Sequence, residues 1–135
     1  MSSQVFEYKK QILEHHLDTF GHVNNATYLE LYEEARWDFI SEHGYGLKEI
    51  IERKQGPIIL EVNCKFRREL VNRETITIVS KTQAIKGKIM TIFQQMIKDN
   101  GDIASEATFT IGFMDLAARK LIVPPKSWMD ATGAE

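Results

Sequence analysis

Asp18-Thr19-Phe20-Gly21-His22-Val23-Asn24-Asn25 runs directly into Ala26-Thr27-Tyr28-Leu29-Glu30-Leu31-Tyr32-Glu33-Glu34-Ala35-Arg36, and the change of character at that join decides how the chain is read. The first part gathers a carboxylate, a glycine, a histidine and two asparagines. The second begins the first long apolar periodicity. Tyr28, Leu31, Tyr32, Ala35 and Phe39 recur at spacings of three and four, which places them on one face of a helix predicted from about Asn25 to Ser41. Leu29, Trp37 and Ile40 widen that face, so the helix needs covering on more than one side, as a curling sheet would cover it. Glu30, Glu33, Glu34, Arg36 and Asp38 fall on the remainder and read as a charged face. At its start such a helix presents unpaired backbone N–H groups and the positive end of its dipole, a place suited to a developing negative charge. Asp18 is then the reactive carboxylate beside it.

Before this junction, Gln4 to Glu14 carries Val5, Phe6, Tyr8, Ile12 and Leu13 among charged residues and reads as an extended strand. Beyond the helix, His43-Gly44-Tyr45-Gly46 supplies a C-terminal stop, and Leu47 to Arg53 reads as a short second helix. From Pro57 the period changes to two. Leu60, Val62, Cys64 and Phe66 alternate with Glu61, Asn63, Lys65 and Arg67, and Glu74 to Ile85 continues with a β-branched run. Lys86-Gly87-Lys88 is a tight turn into Ile89–Lys98. Asp99-Asn100-Gly101-Asp102 is a second hairpin, where Asn-Gly favours a type I′ turn into Ile103–Met114. Asp115 to Lys120 reads as a loop, Leu121-Ile122-Val123 as a last extended piece, and Asp130 to Glu135 as a frayed end. Consecutive hairpins make an antiparallel sheet whose one face the long helix must cover, an α+β arrangement.

A chain of 135 residues is the size of one ordinary domain, taken here as 1–135. The net charge of -2 gives no general attraction to nucleic acid or to an anionic membrane surface, so both are poor candidates for partners. Cys64 is the single cysteine and cannot form an internal disulfide; in an alternating strand it reads as a small buried or half-buried residue rather than a nucleophile. With no leader pattern and no apolar run of membrane length, the expected setting is cytoplasmic.

The pattern Asp18-Thr19-Phe20-Gly21-His22-Val23-Asn24-Asn25, followed by Tyr28 and by Glu33-Glu34-Ala35-Arg36, resembles the D-x-x-G-H-V-N-N-x-x-Y…E-E-A-R signature of hot-dog-fold acyl-CoA thioesterases, the 4-hydroxybenzoyl-CoA thioesterase-like family. The order of elements over residues 4 to 123 fits as well. The resemblance implies a curved antiparallel sheet wrapped around the long helix, with two protomers joined edge to edge, as a homodimer or within a homotetramer, and active sites at their interface. It implies that Asp18 is the catalytic carboxylate, attacking the thioester carbonyl or activating a water. It further implies that the Asn25 backbone N–H binds the thioester oxygen, that Gly21, His22 and Asn24 shape the loop of the site, and that Tyr28 is an aromatic residue just inside the helix. No cofactor and no metal are implied; coenzyme A is part of the substrate.

Each residue also has a plainer reading. Asp18 in isolation is a loop residue or a helix cap. His22 is a general base or a structural histidine holding the loop. His15 and His16 have no convincing ligand spacing with it. Tyr28 and Tyr32 are core aromatics on count alone. Glu33 and Glu34 read as a solvated or salt-bridged helix face, because Asp18 already supplies the carboxylate. Lys65, Arg67, Arg68 and Arg73, with Lys86 and Lys88 on a turn, are surface charge or cations for the phosphates of coenzyme A, with Arg67 and Lys88 the candidates. The alternatives to an acyl-CoA thioesterase are an acyl-carrier-protein thioesterase using the same residues and a non-catalytic acyl-CoA-binding protein of the same fold.

Overall fold

Ile76, Ile78, Ser80 and Thr82 are buried while the residues between them stay more open, the two-residue period of a strand with one face on a core. That strand is the second of a six-stranded antiparallel sheet. The structure, a computed structural model, describes residues 4–134. Its elements are β1 (Val5–Gln11), α1 (Asn25–Glu42), α2 (Leu47–Arg53), β2 (Gln55–Phe66), β3 (Thr75–Lys86), β4 (Ile89–Lys98), β5 (Ile103–Asp115), β6 (Lys120–Leu121) and α3 (Lys126–Ala131). The strands lie in the order β1-β3-β4-β5-β2, with β6 added to β5. The first strand is shorter than expected, because Glu14–His16 form a 3-10 turn leading to the Asp18 loop.

Helix α1 lies on the inner face and buries Tyr28, Leu31, Tyr32, Ala35, Phe39 and Ile40 as its spacing predicts. Arg36 overturns the expected charged face: it is buried too, with its Nη1 donating to Gln94 Oε1 at 3.0 Å and its guanidinium 4.0 Å above the ring of Phe109. Gln94, on β4, is itself buried and donates to Tyr32 O at 3.1 Å and Ser80 Oγ at 2.9 Å. Tyr32 Oη donates to Ser105 Oγ at 2.8 Å. A polar band thus crosses an otherwise apolar core.

Three other expectations are corrected. A bulge at Leu60 shifts the β2–β5 register between Ile59/Ile111 and Glu61/Thr110. The inner face of β2 is therefore Ile59, Val62, Cys64 and Phe66, while Leu60 turns out beside Ile58, both flanking the bare Gly112. The Asp99–Asp102 hairpin is not type I′, since Asn100 has no positive φ. The Gly101 N–H bonds Lys98 O at 2.9 Å and Gly101 has φ +92°, a type I turn closed by a glycine bulge. The C-terminal end is not frayed over residues 130–134; Glu135 lies outside the described residues. Trp128, Ala131 and Thr132 are buried, and Thr82 Oγ1 donates to Thr132 O at 2.7 Å.

Strand β2 is an edge, and its inner side chains reach past the helix. Ile59 is 47 %, Val62 38 % and Phe66 53 % exposed. Cys64, half-buried between them, is the small strand residue expected.

Candidate active site

Gly21 has φ +82°, and a Cβ there would meet nothing within 4 Å, so the backbone angle and not crowding calls for glycine. The turn it permits is closed by Asp18. The Asp18 N–H donates to His22 O at 2.8 Å, Asp18 O accepts from the Gly21 N–H at 3.1 Å, and Asp18 Oδ1 accepts from the Phe20 N–H at 2.8 Å. A longer contact of 3.4 Å brings the His22 N–H to the same Oδ1. Among the described residues Oδ2 carries no hydrogen bond, so one carboxylate oxygen fixes the loop and the other stays available.

Asn24 is the N-cap of α1. Its Oδ1 accepts from the Ala26 N–H at 2.9 Å, while its own N–H donates to His16 O at 3.1 Å. Asn25 is thus the first helical residue, and its N–H has no acceptor among the described residues. A free donor at the positive end of an 18-residue helix sits on the same short loop as the Asp18 carboxylate.

The other wall is the segment between β2 and β3. Val23 N–H bonds Leu70 O at 3.0 Å, His22 forms an isolated bridge with Val71, and His22 Nε2 lies 2.9 Å from Glu69 Oε2. Tyr28 is buried with its ring edge-on to Phe66 at 5.0 Å. Burial pushes its phenol up to about 12, so it stays neutral. Between these walls is an open cleft of about 450 Å³ lined by Asp18, His22, Asn24, Asn25, Tyr28 and Arg67, together with Val23, Phe66, Arg68 and Glu69.

Of the residues singled out in the sequence, Gly21 shapes the loop without lining the cleft, and Lys88 is elsewhere. Lys88 lies in the β3–β4 hairpin, at the opposite end of β3 from Thr75, roughly 35 Å along the strand from where the 67–74 segment enters. Arg67 reaches the cleft with its Nε held by Glu106 on β5. Glu69 and Phe66 were missed as site residues: Glu69 finds His22 far along the chain, which no local pattern announces. Glu34 is salt-bridged as expected, to Lys10 at 2.7 Å, and accepts from Tyr8 Oη at 2.6 Å; Glu33 is exposed. Among the described residues no group of three His, Cys, Asp or Glu side chains is placed to hold a metal ion.

Comparison with known proteins places this architecture. The family model of the thioesterase-like superfamily matches residues 13–132. The chain is 32% identical over 109 residues to the long-chain acyl-CoA thioesterase FadM of Escherichia coli strain K12, covering 80% of this chain and 82% of that protein. Two solved structures share the fold. SAV2348 from Staphylococcus aureus, studied in complex with CoA, has a TM-score of 0.89 at 21% identity, over 97% of this chain and 83% of that one. Slr0204, a 1,4-dihydroxy-2-naphthoyl-CoA thioesterase from Synechocystis, has a TM-score of 0.88 at 16% identity, over 96% of each chain. The curled antiparallel sheet with its inner helix is the hot-dog fold, and this chain belongs to the thioesterase-like superfamily, whose reaction is the hydrolysis of a thioester.

Proposed function

We propose that this chain hydrolyses acyl-CoA thioesters to a carboxylic acid and free coenzyme A, with Asp18 as the reacting carboxylate and the Asn25 N–H as donor to the thioester oxygen. The observation that carries this reading is the pairing, in one cleft, of a carboxylate with a free oxygen and an unpartnered N–H at a helix start. Attack on the thioester builds negative charge on its oxygen, and a preorganised donor is worth roughly 10²–10³ in rate. The thiolate leaves readily, so no strong general acid is required. Asp18 either forms an acyl-aspartyl anhydride that water then opens, or removes a proton from the attacking water. Single turnover in ¹⁸O-water separates these routes, because only the first puts label into the aspartate.

Coenzyme A is favoured over a carrier protein by the acyl-CoA substrate of FadM and by Arg67 and Arg68, cations at the cleft suited to phosphate. His22 is held by Glu69 and shapes the loop. The exposed inner side chains of edge strand β2 support an edge-to-edge dimer, in which a partner covers Ile59, Val62 and Phe66. No helix of the described residues is long and apolar enough to cross a membrane, and the lone Cys64 supports a reducing, cytoplasmic setting.

Release of free thiol from a panel of acyl-CoA and acyl-carrier-protein thioesters, with Asp18→Asn beside the wild type, tests the reading. Hydrolysis of acyl-CoA that disappears in the variant supports it; retained hydrolysis in the variant, or turnover of carrier-protein substrates alone, overturns it.

A further inference from the structure

His16 does not line the cleft, yet it closes the loop that forms it. The chain makes a small hairpin there. The Asp18 N–H donates to His22 O at 2.8 Å, Leu17 bridges to Val23, and the Asn24 N–H donates to His16 O at 3.1 Å. One arm carries Asp18, and the other ends at Asn24 and Asn25, where α1 begins. His16 therefore stands at the open end of the hairpin, which has to be held from outside.

Its imidazole supplies that hold. Nδ1 accepts from the Leu13 N–H at 2.9 Å, and the His16 N–H donates to Leu13 O at 3.0 Å. Leu13 follows Ile12, which is fully buried and pinned to the segment before β3: its N–H donates to Glu74 O at 2.8 Å and its oxygen accepts from the Arg73 N–H at 2.8 Å. The ring, itself buried, thus links the loop bearing Asp18 to the edge of the sheet.

A backbone N–H can only donate, so Nδ1 is the unprotonated nitrogen and the neutral ring carries its proton on Nε2. A second proton would set two donors face to face and remove the bond to Leu13. The charged and titratable groups around the ring are His15 on the same turn, with ring centroids 4.1 Å apart, Lys10 on β1, and Glu30 and Glu34 on α1. Lys10 and Glu34 pair with each other at 2.7 Å, and Glu14 on the turn is taken by Arg73 at 2.6 Å. Burial, aided by His15 and Lys10 and opposed by Glu34 and Glu30, favours the neutral ring.

Resting on the acyl-CoA reading above, we propose that His16 is a positioning residue for the hydrolysis: its neutral imidazole holds the hairpin that sets the Asp18 carboxylate beside the Asn25 N–H, and protonating it slackens both. The loss is one of geometry, and a displacement of about 1 Å at a reacting group can cost up to roughly 100-fold in rate. Activity is full while the ring is neutral and falls as the pH drops below the ordinary imidazole value of about 6.5 toward the lower folded value.

The test follows kcat and KM from about pH 8 to about pH 5 in the wild type, His16→Asn and His16→Leu, using whichever of butanoyl-CoA, dodecanoyl-CoA and benzoyl-CoA the wild type turns over fastest. Asparagine places an oxygen on the same Cγ that bears Nδ1 in histidine and does not titrate; leucine offers no acceptor. The kcat of His16→Leu falls several-fold at every pH with KM nearly unchanged. His16→Asn keeps the wild-type kcat at high pH and loses the acid limb that the wild type shows below about pH 6.5. If neither variant folds, the wild type decides, because its Asn25 amide resonance must shift with the His16 imidazole as the pH falls. A folded His16→Leu with wild-type kcat, an acid limb that His16→Asn shares with the wild type, or an Asn25 amide indifferent to the imidazole overturns the proposal and leaves the thioesterase reading standing. No turnover of any of the three substrates by the wild type overturns both.

Discussion

Helix α1 holds the polar groups at its start and those three turns further on by opposite means. At the N-terminal end, the groups that matter lie on consecutive residues and satisfy each other locally: Asp18 closes its own turn, Asn24 caps the helix, and Asn25 is left with a free donor. Three turns on, Arg36 is satisfied only across the core, by Gln94 from β4 and Phe109 from β5. The first arrangement holds its shape through backbone hydrogen bonds near solvent and tolerates losing one side chain. The second depends on every member, because a buried polar group left alone costs its full desolvation. Substitutions at the two ends should therefore separate activity from stability.

Asp18 gives the largest expected effect. Asp18→Asn and Asp18→Ala should both lower kcat by on the order of 10³-fold or more, as removal of a reacting group does. Their stabilities should differ. Asparagine keeps an oxygen for the Phe20 N–H and should melt close to the wild type, whereas alanine loses that bond and about 1 kcal/mol. Equal melting temperatures for the two variants would show that the Oδ1 bond does not hold the loop.

Gln94→Leu probes the other end. It leaves the Arg36 guanidinium without its acceptor and Ser80 without a partner, and by analogy with broken buried pairs should destabilise the fold by about 3 kcal/mol. For a domain of this size that is a drop of roughly 10 °C in melting temperature. The kcat of the fraction that remains folded should change little. A variant as stable as the wild type would mean that Arg36 finds another acceptor, and the contrast between the two ends would fail.

Asn24→Ala tests whether the local end is as forgiving as its geometry suggests. Loss of an N-cap costs about 1 kcal/mol. Because the free Asn25 N–H is the next donor, fraying of that turn should lower kcat several-fold and leave KM nearly unchanged. An equal rise in KM would place Asn24 in contact with substrate instead.

The same contrast explains what could be read in the chain. The loop-helix junction is legible because its chemistry is local: an acid, a glycine with positive φ, a cap and a helix start follow one another in order. Strand alternation gave the sheet, and the hairpin glycines gave its order. Arg36 was misread because arginine at that helical position is solvated unless a partner waits inside, and Gln94 lies 58 residues away. Leu60 was misread because one unpaired residue inverts a period of two. The end at Trp128–Thr132 was misread because its anchors, Thr82 on β3 and Met90 on β4, are contributed by distant strands. Glu69 joins the site by the same long-range route.

His16 makes the smallest test and joins both principles, being a buried polar side chain inside the local end. Its Nδ1 accepts from the Leu13 N–H at 2.9 Å, and its backbone oxygen holds Asn24. Burial, aided by the charges of His15 and Lys10, keeps its imidazole below the ordinary value, with Glu34 and Glu30 opposing. The unfolded chain therefore takes up this proton first as pH falls. Its contribution to stability is complete above the ordinary imidazole value of about 6.5 and declines as pH drops from there toward the lower folded value. Protonation also removes the acceptor that Leu13 uses. The stability of the wild type should thus fall more steeply than that of His16→Gln as pH drops below about 6.5. Parallel curves would mean that the histidine is hydrated in solution, and the loop would then rest on backbone bonds only.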